Sequence, residues 1–247
     1  MAAPGLRDGQ RVLGSGVPEL NDLPTRPEPR APRGLVAIER AQTLGEELAN
    51  AISHGVALLA ALVGTPVLIA TAVAKNNHAM VVGGSVLGGA MILMYLSSTL
   101  YHALPPGRAK QRFRLADHAA IFLLIAGTYT PITLGVLKGA WGWSLLGAVW
   151  VLAVVGIVLK LVGGIKRPWV STGLYLLMGW LVMIAARPLW LNMSLSGLLW
   201  LAAGGLAYTV GTAFYAADER MKYGHFVWHL WVMAGTGCHF FAVLASV

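Results

Sequence analysis

Three histidines and one aspartate set the chemistry this chain could do. His225 and His229 are four residues apart in the apolar run "GHFVWHLWVMAGTGCHF". On a helix that spacing puts both imidazoles on one face, about 6 Å apart, close enough to bind one metal ion. His102 sits in "SSTLYHAL", with Ser98 four residues earlier on the same helical face. Asp117 is the only acidic residue between Leu48 and Ala217. Three protein ligands with an open fourth position make the catalytic zinc pattern. Zinc in such a site acidifies water enough for it to attack a carbonyl. Plainer readings stand beside this one. A single intramembrane histidine is more often a packed, hydrogen-bonded residue than a ligand, and Asp117 could pair with His118 or Arg114. A histidine pair outside an H-E-x-x-H setting is also a weak motif. The joint signal is stronger, because ionisable groups inside membrane spans are costly and point first to function.

The elements that must position these residues are membrane spans. The chain has 247 residues, 57% of them hydrophobic and only 11% charged, whereas a soluble domain is about 25% charged. Seven apolar stretches, at 47–74, 79–104, 115–136, 141–163, 169–187, 195–216 and 225–246, each approach the ~20 residues needed to cross a bilayer core. Pro, Gly or charge interrupts them at "KNNH", "PPGRAKQRFR", "KG", "GGIKRP", "RPLWLN" and "DERMKYGH". The pattern predicts an all-α bundle of seven transmembrane helices. The single cysteine, Cys238, excludes an intrachain disulfide and a C-x-x-C zinc site.

The net charge of +8 does not require a nucleic-acid partner, because the positions of the basic residues explain it. Of the 18 Lys and Arg, fifteen fall in the N-terminal segment and in connections on its side of the bundle. The positive-inside rule then predicts a cytoplasmic N-terminus, an external C-terminus and a multi-pass protein of the inner (plasma) membrane. Residues 1–45 hold six of the twelve prolines and no apolar run. They are expected to form a disordered, basic, Pro-rich cytoplasmic tail rather than a signal peptide, with residues 46–247 forming the membrane domain.

Topology also gives depth. His102 falls near the cytoplasmic end of the second span and Asp117 near the start of the third. His225 and His229 fall in the first turns of the seventh, and "EELANAISH" opens the first. Four helices therefore bring polar groups to one level. Glu47, Asn50 and His54 form an E-x-x-N-x-x-x-H pattern on the first helix. They either support the ligands from behind or touch a substrate headgroup, or else they make hydrogen bonds that fix that helix; the last reading is favoured. His239 lies ten residues past His229, roughly 15 Å deeper, and is expected to be a buried polar partner outside the site. His78 is expected in a solvated external loop. Thr128, Tyr129, Thr130 and Pro131 predict a kinked, hydrogen-bonded middle of the third helix. Most of the nine tryptophans read as interfacial belts and packing.

Four segments, "EELANAISHG", "SSTLYHAL", "RLADHAAIFLLIAGTYTP" and "HFVWHLWVMAGTGCHF", resemble the signature segments of the hemolysin III family. That family belongs with the adiponectin and progestin receptors in one superfamily of seven-helix membrane proteins. The resemblance covers residues 43–246, leaves out the basic tail, and implies a zinc ion near the cytoplasmic face. The family's metal-binding histidines fall on His102, His225 and His229. Its water-holding serine and aspartate fall on Ser98 and Asp117, the catalytic candidates. The related adiponectin receptors and alkaline ceramidases are thought to hydrolyse the amide of ceramide. The resemblance thus implies a zinc-dependent hydrolase of lipid amide or ester bonds, with membrane lipids, ceramide-like ones among them, as partners. The alternative is a receptor-like or regulatory protein with structural zinc. A pore-forming cytolysin ranks below both, since no cleavable export signal is seen. A transporter ranks lower again, since no two-fold repeat is evident.

Overall fold

A computed structural model of the chain describes residues 1–2, 41–165 and 168–247. Most of the expected tail, residues 3–40, lies outside the described residues, as do Lys166 and Arg167. The described residues are helical and contain no strand. Seven helices are long and apolar enough to cross a membrane: α1 (Leu44–Ala74), α2 (His78–Ala103), α3 (Arg108–Leu137), α4 (Gly139–Leu161), α5 (Trp169–Asn192), α6 (Leu195–Ala217) and α7 (Gly224–Leu244). The chain is a multi-pass membrane protein.

Polar N-cap side chains start α1, α2 and α6. Thr43 and Glu46 form a capping box at α1: Glu46 N donates to Thr43 Oγ1 at 3.3 Å, and Thr43 N donates to Glu46 Oε2 at 2.9 Å. Each side chain satisfies a backbone donor that the first turn leaves free. Asn77 caps α2 and Ser194 caps α6 in the same way. Two breaks expected from sequence are helical. Arg108–Arg114 form the first turns of α3 rather than a loop, because the Pro105–Pro106 pair stops α2 and Gly107 opens the next helix. Likewise "RPLWLN" continues α5 to Asn192. His78 is the first residue of α2, not a loop residue.

The outer surface is apolar. Val63, Val151, Trp143 and Leu191 are each more than 60% exposed, which suits a surface that faces lipid. The strongly exposed tryptophans Trp141, Trp143, Trp169 and Trp190 lie at span ends, as an interfacial belt requires. The interior packs through small residues. A Cβ on Gly88 would collide with Thr65 of α1, and one on Gly83 would collide with Pro131 of α3. Glycine lets α1, α2 and α3 approach closely in a solvent where burying apolar surface gives no advantage.

The middle of α3 is hydrogen-bonded as expected. Thr128, Thr130 and Thr133 return their hydroxyls to the carbonyls of Leu124, Ala126 and Tyr129 at 2.8–2.9 Å. After Pro131 the winding changes to a π-helix over Ile132–Leu137. A proline cannot donate to the ladder, and the local change of winding absorbs that loss. Tyr129 then holds a break in α5. Its hydroxyl donates toward the carbonyls of Met178 and Gly179 and accepts from Val182 N at 2.8 Å, where Leu181–Ala185 wind as a 3-10 helix.

Candidate metal centre

The starts of α1, α3 and α7 and the end of α2 meet at one end of the bundle. Ring nitrogens of His102, His225 and His229 lie within 4.8 Å of one another there. Their ring centroids are 4.8–5.2 Å apart. His102 and His229 are buried, at 3% and 1% exposure. The three could hold one metal ion.

Each imidazole is gripped on its Nδ1 side by an oxygen. His102 Nδ1 lies 2.8 Å from Glu47 Oε2. His225 Nδ1 lies 2.9 Å from Asp218 Oδ2. His229 Nδ1 lies 3.2 Å from Ser53 Oγ. A carboxylate only accepts, so His102 and His225 carry the proton on Nδ1. Ser53 Oγ also lies 2.9 Å from the Asn50 carbonyl, and when it donates there it accepts from His229. His102 and His225 are therefore held in one tautomer, with the Nε2 lone pair left for a ligand. His102 Nε2 is buried and has no hydrogen-bond partner. A buried, unpaired acceptor is costly, and a metal ion would relieve that cost. The donor set fits zinc, which takes neutral imidazoles that an oxygen orients from behind.

The surrounding contacts lock the grips in place. Lys110 Nζ pairs with Glu47 Oε1 at 2.9 Å and donates to the carbonyls of Tyr101 and Leu104. The first turn of α3 is thus latched onto the end of α2 beside His102. Asp218 also accepts from His225 N at 3.1 Å, so it caps α7 while holding the ring. Glu46 Oε1 accepts from Tyr223 N at 2.9 Å, tying the start of α1 to the turn before α7. Tyr223 adopts a left-handed φ of 59° in that turn.

The other residues singled out from sequence separate clearly. Asp117 is buried at 6% exposure and faces Ser98 and His225. Ser98 Oγ is buried beside Asp117. Glu47 makes an interhelical hydrogen bond of the kind expected to fix α1, and its partner on α2 is His102. Asn50 does fix local structure, donating to Gln42 Oε1 at 2.6 Å. His54 lies flat against His229 with ring centroids 3.5 Å apart. His239 is away from the site, with Nε2 3.3 Å from the Leu201 carbonyl. Sequence reasoning missed Asp218, Ser53 and Lys110. For Asp218 a signal existed: an acid just before a helix that opens with histidine suits the helix N-terminus. Ser53 and Lys110 carried no such mark.

A search of solved structures finds no match. The family model described as haemolysin-III related matches residues 42–240. Hemolysin-3 of Bacillus cereus is 40% identical, over 83% of this chain and 94% of that protein. The Hemolysin-3 homolog of Bacillus subtilis (strain 168) is 42% identical, over 82% and 94%. A more distant relative is the monocyte to macrophage differentiation factor of Homo sapiens, 25% identical over 81% of this chain and 84% of that protein. The matched span contains all of the histidines, acids and hydroxyls described above, and with it the chain belongs to the haemolysin-III family.

Proposed function

We propose that this protein is a zinc-dependent membrane hydrolase acting on the amide or ester bond of a membrane lipid, ceramide-like lipids included. One observation carries the reading: three imidazoles, each with an oxygen at Nδ1, bring ring nitrogens within 4.8 Å of one another. When bound, zinc supplies Lewis acidity, polarising a carbonyl and acidifying water. The chain's own groups do the rest. His102, His225 and His229 would hold the ion. Asp117 would accept a proton from the attacking water, and the hydroxyl of Ser98 would hold that water or the carbonyl oxygen. Burial of Asp117 and Ser98 keeps bulk water from competing for them.

The bundle has room for a lipid. A mostly apolar cavity of about 410 Å³ opens between α3, α5, α6 and α7, lined among others by Tyr129, Trp180, Tyr208 and Trp228. That volume is in the range of ligand pockets. Trp228, the neighbour of His229 in sequence, lines the cavity wall, whereas His102, His225, His229, Asp117 and Ser98 do not. In this reading the site faces the cytoplasm from the inner membrane, the side where the basic connections gather.

A regulatory protein with structural zinc is the second reading. It is supported by the way the ligands and their grips tie α1, α2, α7 and the turn after α6 together. The name of the Bacillus cereus relative suggests cytolysis. For this chain that activity ranks lower, since a seven-helix protein inserted in its own membrane is poorly suited to attack another. Purified protein incubated with labelled ceramides and phospholipids separates these readings. Hydrolysis that disappears in Asp117→Asn while zinc is retained supports the enzyme. An unchanged biological output in that variant supports the regulator.

A further inference from the structure

His54 is 1% exposed, and neither of its ring nitrogens has a hydrogen-bond partner. A buried imidazole that uses neither nitrogen is placed by its ring surfaces. One face lies on His229, centroid to centroid 3.5 Å, with only 3° between the planes. Tyr95 of α2 meets the ring edge to face at 5.1 Å and 71°, and is itself buried. Ser53, the preceding residue, takes the Nδ1 edge of the same His229 ring at 3.2 Å. Two consecutive residues of α1 therefore grip one imidazole, one at its edge and one across its face.

The two grips do different things. The hydrogen bond to Ser53 holds one edge of His229 but leaves its ring free to rock about that contact. Only a flat surface against the face fixes the plane, and hence the line along which Nε2 points. We infer that His54 is a positioning residue for the metal centre, setting the plane of His229 through ring stacking and not through its nitrogens. This rests on the metal-centre reading above. It adds that the geometry of the three-histidine site depends on an aromatic surface contributed by α1.

Two substitutions of similar bulk test it. His54→Phe keeps a flat ring and removes both nitrogens; His54→Leu fills the space without a ring. Zinc affinity is measured by chelator competition on detergent-purified protein. The visible absorption spectrum of the Co²⁺-loaded protein reads ligand geometry, and the melting of the metal-free forms reads folding. Outer contacts of metal ligands are worth roughly 10- to 100-fold in affinity. The expected result is zinc binding about tenfold or more weaker in His54→Leu, with an altered Co²⁺ spectrum. His54→Phe should match wild type in both, and all metal-free forms should melt alike. Wild-type affinity in His54→Leu, or equal losses in Leu and Phe variants, overturns the inference while leaving the centre intact. Failure of the wild type to bind zinc removes the reading on which it rests.

Discussion

Glu47 Oε2 accepts the Nδ1 proton of His102 at 2.8 Å, while its other oxygen pairs with Lys110 at 2.9 Å. The carboxylate does two jobs from one rotamer. It sets the tautomer of the buried His102, and it anchors the start of α3 over the end of α2. Replacement by glutamine keeps the shape but offers a single acceptor oxygen without charge. Glu47→Gln should weaken zinc binding by roughly 10- to 100-fold, measured by chelator competition. Lys110→Met, which removes only the outer partner, should cost less. Equal losses in the two variants would show that the ion pair, not the histidine contact, matters.

Asp218 holds His225 twice, through the ring at 2.9 Å and through the backbone at 3.1 Å. Asp218→Asn can keep the backbone bond through its amide oxygen, whereas Asp218→Ala loses both. Zinc affinity should fall in the order wild type, Asn, Ala, with the alanine variant about tenfold or more below wild type. The same ranking is expected in thermal melts, since loss of a helix cap costs about 1 kcal/mol.

Asp117 and Ser98 touch no histidine nitrogen in any hydrogen bond of the site. Asp117→Asn and Ser98→Ala should therefore keep about one zinc per chain, as a single three-ligand site requires. Both should lose lipid hydrolysis, by roughly 10²- to 10⁴-fold for the proton acceptor. Loss of the metal in either variant would move that residue from chemistry to metal binding.

Gly88 and Gly89 are neighbours with opposite surroundings. A methyl group at Gly88 would run into Thr65, whereas one at Gly89 meets nothing within 4 Å. Gly88→Ala should destabilise the bundle by about 1–3 kcal/mol through overpacking, and Gly89→Ala should be neutral. Melting temperature in detergent, and the yield of folded protein, check the pair. Equal behaviour would mean that α1 and α2 are not held at this distance.

The seven spans were legible because an apolar run of ~20 residues has few other uses. Their ends were less so. The basic segment Arg108–Arg114 reads as a loop by charge, yet it is the start of α3, where Lys110 turns its charge to Glu47. The three-histidine group was legible because histidine is rare in apolar spans. The groups behind them were harder to find. Ser53 looks like any helical serine, and its role depends on α7 lying against α1, a contact between residues 176 apart in the chain. Asp218 was hidden by its place in a charged connection. His54 was visible as a polar residue on α1, but stacking on His229 leaves no mark in residue type or spacing.

The most direct test is the metal content of detergent-purified protein, measured for wild type beside His102→Ala, His225→Ala and His229→Ala. The account predicts about one zinc per wild-type chain, as three converging imidazoles require, and loss of that zinc in each variant while the helical content is kept. Wild-type protein prepared without chelators that carries no zinc and takes none up would contradict it. The three histidines would then be packing residues, and the hydrolase reading would fall with the metal.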